Sequence, residues 1–186
     1  MPEFSVPAYE CRHCKKPLQR PLQRNAQERW SAKEGQPFPL GVKWLPTEQA
    51  YNFAIYSLHA QSVELLFFRE NRLDEPAFVY QFDALRNKSG SVWHCRIPVS
   101  LTDDAKYYGY RIGGPPSGEG REDQAFDHDK LLLDPYARTV YFPPGFDRSK
   151  AMQPGSNMSQ APLGLLDECQ CVPKWNDDSR IRHEAD

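Results

Sequence analysis

The chain has no run of about twenty apolar residues, so no segment of it reads as a membrane-spanning helix. Its N-terminus, Met1-Pro2-Glu3-Phe4, lacks the apolar core of a secretion signal, and a cytoplasmic location is the expectation. It also lacks an excess charge of either sign. A net charge of −2 gives no general reason to expect nucleic acid or an anionic membrane as a partner. Nor does it have an even set of cysteines. Five are present, Cys11, Cys14, Cys95, Cys169 and Cys171, and an odd number without a signal segment argues for free thiols. Cys11-Arg-His-Cys14 has zinc-knuckle spacing. Its only possible second half, Cys169-Gln-Cys171, has one intervening residue and lies far away, and a tetrahedral site needs four well-placed ligands. No metal and no cofactor is therefore expected.

Catalytic constellations are scarce as well. Glycoside hydrolysis normally needs two carboxylates at a fixed separation. The pairs on offer are Asp103-Asp104, Glu122-Asp123, Asp127 with Asp129, and Asp177-Asp178. All fall in expected loops, without the apolar pocket that raises one carboxyl into the acid range. His94 sits on the outward face of an expected strand, but no Ser or Cys nucleophile with a positioned partner is evident. His13, His59, His128 and His183 are scattered. Solvated surface is the expected setting for all five histidines.

What the chain does have is punctuation and aromatic residues. In 186 residues there are seventeen prolines, eleven glycines and 12% aromatics, which argues against an all-helical protein. Residues 1–34 are polar, with seven Lys or Arg against four Glu, and read as a flexible extension in which Asn25 could cap a short helix. From Gly35 the character changes. A short strand carries Val42 and Trp44. In Ala50 to Ser57, Tyr51, Phe53 and Ile55 share one face. In Ser62 to Arg69, Val63, Leu65 and Phe67 share one side, while Leu66 and Phe68 ask for cover on the other. Ala77 to Phe82 is the next strand. Asn87-Lys88-Ser89-Gly90 is a tight turn in which Gly90 is free to take positive φ. Val92 to Ile97 buries Trp93, Cys95 and Ile97, and Lys106 to Ile112 closes the set. Six strands at intervals of roughly ten to fifteen residues predict an all-β, immunoglobulin-like sandwich.

After the acidic loop from Gly113 to Asp129 comes Lys130-Leu131-Leu132-Leu133-Asp134-Pro135-Tyr136-Ala137-Arg138. Three consecutive leucines have no period-2 alternation, so burial on both sides is expected. Pro135 removes a donor and pushes Asp134 toward an extended backbone. The stretch reads as an anchor pressed between two bodies. Beyond it the chain is polar and irregular. The expected division is an extension at 1–34, a sandwich at 35–145 and a connector at 146–186.

Several of these segments together resemble the opening of isoamylase-type glycogen debranching enzymes. They are Pro39-Leu40-Gly41, Asn52-Phe53-Ala54-Ile55-Tyr56-Ser57, Val63 to Phe68, Val92-Trp93-His94, Tyr107 to Arg111 and, most specifically, Lys130 to Arg138. The resemblance runs from about residue 35 to the end. It implies a family 48 carbohydrate-binding module, followed in a family 13 glycoside hydrolase by a (β/α)₈ barrel. Ala161-Pro162-Leu163-Gly164 and Trp175-Asn176-Asp177-Asp178 resemble the connector before that barrel. The family's catalytic Asp nucleophile, Glu acid/base and second Asp lie on barrel strands, and no residue here corresponds to them.

The implied function is that of the N-terminal carbohydrate-binding accessory domain of an enzyme that hydrolyses α-1,6 branch linkages in glycogen. The implied partners are an α-glucan and the catalytic barrel. A free-standing glycan-binding or regulatory module and an immunoglobulin-like interaction domain are the alternatives. Sugar CH faces stack on exposed rings, which makes Trp44, near proline-flanked turns, and Tyr108 the expected glycan contacts. Tyr110, Arg111, Lys130, Leu132, Asp134 and Tyr136 are the expected seam to the barrel, with Arg111 able to hold a carboxylate or a carbonyl. Leu131, Leu132 or Leu133 should then leave exposed apolar surface in the isolated chain, which should tend to associate. The 186-residue chain alone should also release no reducing sugar from a branched glucan. A reducing-end assay on purified protein checks this, and measurable release would overturn it.

Overall fold

A computed structural model describes residues 35–102, 104–115 and 126–167. Nine strands occur among them: β1 (Gly41–Leu45), β2 (Ala50–Tyr56), β3 (Ser62–Phe68), β4 (Phe78–Gln81), β5 (Lys88–Ser89), β6 (Val92–Pro98), β7 (Tyr107–Gly113), β8 (Val140–Tyr141) and β9 (Leu163–Leu165). They form a four-stranded sheet in the order β1-β2-β6-β5 and a five-stranded sheet in the order β4-β3-β7-β9-β8. Every pairing between these strands is antiparallel. The all-β sandwich expected from strand spacing is the fold observed.

The inner core follows the period of two. Tyr51, Phe53 and Ile55 of β2 and Trp93, Cys95 and Ile97 of β6 face Val63, Leu65 and Phe67 of β3 and Tyr108, Tyr110 and Ile112 of β7. Phe53 meets Phe67 and Tyr108 edge-on, at centroid distances of 5.5 and 5.3 Å. Burying each such ring contributes roughly 1.5–3 kcal/mol, which makes this layer the main source of cohesion between the sheets. Gly90 sits at the hairpin turn with φ of 60°, as its place in Asn-Lys-Ser-Gly predicts.

Leu66 and Phe68 lie on the opposite side of β3 and are also fully buried. With Tyr107 they meet Leu131, Ala161 and Leu163 in a second apolar cluster on the outer face of the five-stranded sheet. Gly109 makes this approach possible, since a Cβ there would lie 2.9 Å from Leu131 Cδ1. Part of the stretch expected as a connector is therefore built into the sandwich. β9 inserts between β7 and β8, and Ala161 and Leu163 are buried under the sheet's outer layer. Two leucines around a glycine give no alternation signal, which is why this strand was not expected.

One expectation changes here. His94, expected at the solvated surface, is only 4% exposed, and its Nε2 lies 2.8 Å from Ser89 Oγ. The short β5 strand beside it, set by the hairpin, covers the face on which it lies. His59 and His128 are exposed as expected. Asn25, His13, His183 and the Cys11, Cys14, Cys169 and Cys171 thiols lie outside the described residues. Cys95 is a free, buried thiol whose burial pushes its pKa well up.

One side chain fastens Leu131 within the second layer. Asn157 Nδ2 donates to Leu131 O at 2.9 Å, and Leu131 N donates to Asn157 Oδ1 at 2.7 Å. Both backbone groups of Leu131 are thus satisfied in a buried setting by an amide that acts as a strand surrogate. Asn157→Ala strands two buried polar groups and is expected to lower the unfolding free energy by about 2–3 kcal/mol. Urea denaturation reads this directly, and a loss within about 0.5 kcal/mol would show that the clamp is not needed.

Candidate glycan and docking surfaces

The Lys130–Arg138 stretch runs beside the middle of β7, pairing at Tyr110, and is fixed at three points. Asn157 holds Leu131. Leu132 pairs with Tyr110 through Tyr110 N to Leu132 O at 2.9 Å and Leu132 N to Tyr110 O at 2.7 Å. Asp134 Oδ2 accepts from the Tyr108 hydroxyl at 2.8 Å, and its Oδ1 accepts from Tyr136 N at 2.8 Å. Asp134 is 1% exposed. A buried carboxylate with both oxygens engaged is a reason for an Asp-Pro to stand here: Asp134 ties the chain to the inner core, and Pro135 leads the turn that Ala137 N closes by donating to Asp134 O at 3.0 Å.

The expected seam residues therefore separate. Tyr110 is fully buried in the inner core, and Asp134 is internal. Leu131 is buried in the second layer, so the apolar surface expected from the three leucines narrows to Leu132, which is 38% exposed. Tyr136 is exposed as well. The Lys130 ammonium is taken up by the carbonyl of Gln153. Arg111 stands opposite Glu64 in the β3–β7 register, and its buried Nε has no hydrogen-bond partner.

The expected glycan contacts are not at the surface. Trp44 is 7% exposed and its ring packs against Tyr51 at 4.8 Å. Tyr108 is fully buried, and its hydroxyl is pushed up by burial and by the Asp134 carboxylate. Both belong to the inward face of their strands, so neither offers a ring to a sugar. The ring that sequence reasoning passed over is Tyr56, the last residue of β2 and 54% exposed. It continues the outward series Asn52, Ala54, Tyr56, opposite in phase to the buried Tyr51, Phe53 and Ile55. The phase was visible in the sequence; the termination of cover beyond Ala54 was not.

The carboxylate pairs have structural roles where they are described. Asp127 Oδ1 accepts from Asp129 N at 3.1 Å, and its Oδ2 accepts from Gly155 N at 2.6 Å. Asp104 is exposed in a turn. Asp103, Glu122, Asp123, Asp177 and Asp178 lie outside the described residues. Among the described residues no three His, Cys, Asp or Glu are grouped to hold a metal, and no helix is long and apolar enough to cross a membrane.

Residues 39–137 match the family model of carbohydrate-binding module 48, the isoamylase N-terminal domain. The chain is 35% identical over 159 residues to a chloroplastic isoamylase 3 of Oryza sativa subsp. japonica, covering 82% of this chain and 19% of that protein. It is 34% identical over 110 residues to a glycogen debranching enzyme of Yersinia enterocolitica, covering 57% of this chain and 14% of that one. A product complex of the multi-modular glycogen-degrading pneumococcal virulence factor SpuA has a similar fold, with a TM-score of 0.50 at 15% identity over 77% of this chain and 13% of that chain. The chain spans about a fifth or less of the length of the curated relatives it matches.

Burial raises the Asp134 carboxyl above its ordinary value, against the smaller opposing pull of the Tyr136 amide and the Tyr108 hydroxyl. The folded state thus holds this proton more tightly than the unfolded chain. The associated stability is complete below the ordinary carboxylate pKa and is lost as pH rises through the raised one. Asp134→Asn removes the titration. As pH rises above about 4 the wild type should lose stability relative to the Asn variant, as measured by denaturation at each pH. Parallel curves for the two proteins would contradict this.

Proposed function

The chain belongs to the carbohydrate-binding module 48 family, and on that premise we propose that it is the α-glucan-contacting N-terminal module of a debranching enzyme of isoamylase type. The parent activity in this reading is hydrolysis of α-1,6 branch linkages in glycogen or a related glucan. The supporting observation is the family match, which spans both sheets from β1 to Tyr136 and so takes in the whole inner core. The names of the relatives, an isoamylase and a glycogen debranching enzyme, point to the same substrate class.

The module divides its surface between two partners. One end of the four-stranded sheet presents Tyr56 on a strand whose other residues are buried, so the ring is held by a rigid backbone. A ring of that kind stacks on the apolar face of a glucose unit while its hydroxyl reaches a sugar hydroxyl. The other partner is the catalytic portion, which docks against the exposed Leu132 and Tyr136. Tyr110 and Asp134 contribute to that seam only by fixing the main chain beneath it. Residues 35–166 form the module in this reading, a boundary later than 145, because β9 completes the sheet.

Affinity electrophoresis through glycogen tests the glucan half. The wild-type chain is expected to be retarded, and Tyr56→Ala to bind about tenfold more weakly with an unchanged melting transition, since the side chain is exposed. A wild-type chain that migrates freely through glycogen would overturn the proposal.

A further inference from the structure

We propose that Phe38 is a second glucan-stacking ring, set beside Tyr56 by an asparagine clamp, so that the module reads more than one sugar along a chain. This inference rests on the carbohydrate-binding reading above and adds a residue and a chain-length preference to it.

The clamp is a reciprocal pair. Gln36 N donates to Asn52 Oδ1 at 2.6 Å, and Asn52 Nδ2 donates to Gln36 O at 2.9 Å. Asn52 is 1% exposed and sits on the outward face of β2, the same face as Tyr56. Gly35 makes the close approach possible. It has φ of +64°, and a Cβ on it would lie 2.6 Å from the Cys95 carbonyl carbon and 2.9 Å from Asn52 Oδ1. No other residue type fits there without displacing the arm.

The arm from 35 to 41 is fixed at its other end too. Gly41 pairs with Ala54, two residues before Tyr56. Its φ is +89°, and a Cβ on it would lie 2.7 Å from Tyr136 O. Phe38 stands between the two pins, no more than about 11 Å along the backbone from Gly41. Tyr56 lies about 7 Å along β2 from Ala54. β1 runs antiparallel to β2, so the arm leaves Gly41 toward the Tyr56 end of β2 and turns back to Asn52, with Phe38 between those two points. Phe38 is 65% exposed and Tyr56 54% exposed. A large ring held that far into solvent on a doubly pinned arm has no packing role within the sandwich. Two rings so spaced suit a chain of several glucose units, and a short sugar would reach one of them. Phe142 and Phe146 are also exposed, but they pack on each other at 4.9 Å beyond β8, at the edge of the other sheet.

Calorimetric titration with maltotriose and with maltoheptaose separates the possibilities. Phe38→Ala is expected to weaken maltoheptaose binding by about five- to tenfold and to leave maltotriose binding within about twofold. Phe38→Trp should restore the longer ligand, and Phe142→Ala should bind both as the wild type does. Asn52→Ala, which frees the arm, should show the same selective loss for maltoheptaose. If Phe38→Ala binds maltoheptaose like the wild type while Tyr56→Ala does not, the second ring is refuted and the glucan reading survives. If the wild type binds neither sugar, both fall together.

Discussion

The structure turns on β7 having to be buried on both faces. Tyr108, Tyr110 and Ile112 point into the space between the sheets, while Tyr107 and Gly109 point the other way and are equally covered. Its neighbour β3 has the same problem, because Leu66 and Phe68 are as buried as Leu65 and Phe67. A two-sheet sandwich covers one face of each sheet. Here a third layer is required, and among the described residues the chain that supplies it follows the sandwich strands in sequence. That requirement explains why three leucines stand together in Lys130–Arg138, why β9 returns to the sheet, and why Gly109 carries no side chain. The stretch that looked like a bridge to another body first serves as a lid on its own sheet.

Closing a sheet's face with irregular chain raises a second problem, since the covering backbone has polar groups and no strand partner. The molecule answers it with asparagine. Asn157 takes both backbone groups of Leu131, and Asn52 takes both of Gln36. A primary amide carries a donor and an acceptor in the same geometry as a peptide, so one side chain replaces one rung of a ladder. The two clamps lie on opposite outer faces and pin the segments on either side of the sandwich proper. Asp134 does related work with a charge. Its carboxylate joins the Tyr108 hydroxyl of the inner core to the Tyr136 amide of the outer layer, so the two layers share one buried acceptor.

Much of the frame was legible because it depends on period alone. Phe53 and Ile55 in phase with Tyr51, Trp93 in phase with Cys95, and Gly90 at a tight turn are consequences of alternation and turn chemistry. Leu66 and Phe68 even announced the third layer. What pattern could not carry was depth. Trp44 was read as exposed because prolines flank it, yet its place on the inward face of β1 buries it against Tyr51. His94 was read as exposed from its outward phase, and the β5 hairpin covers that face. β9 was missed because Leu-Gly-Leu is too short to show a period. Tyr56 escaped notice for the opposite reason, as its outward phase was clear but nothing in sequence marks where cover over a strand ends.

The same logic separates what the module holds from what it offers. The strand-centre aromatics are spent between layers, and Trp44 and Tyr108, expected as sugar contacts, are among those least able to act as such. A ring buried for cohesion cannot also stack on a ligand, because exposing its face would forfeit the burial that keeps the sheets together. What remains exposed is what stability does not need: Tyr56 at the tip of β2, Phe38 on the arm pinned by Asn52, and Leu132 and Tyr136 of the leucine stretch. Each of these rests on backbone fixed by buried neighbours. In the proposed reading, rigid support from residues that never touch a partner lets these exposed side chains form the two surfaces.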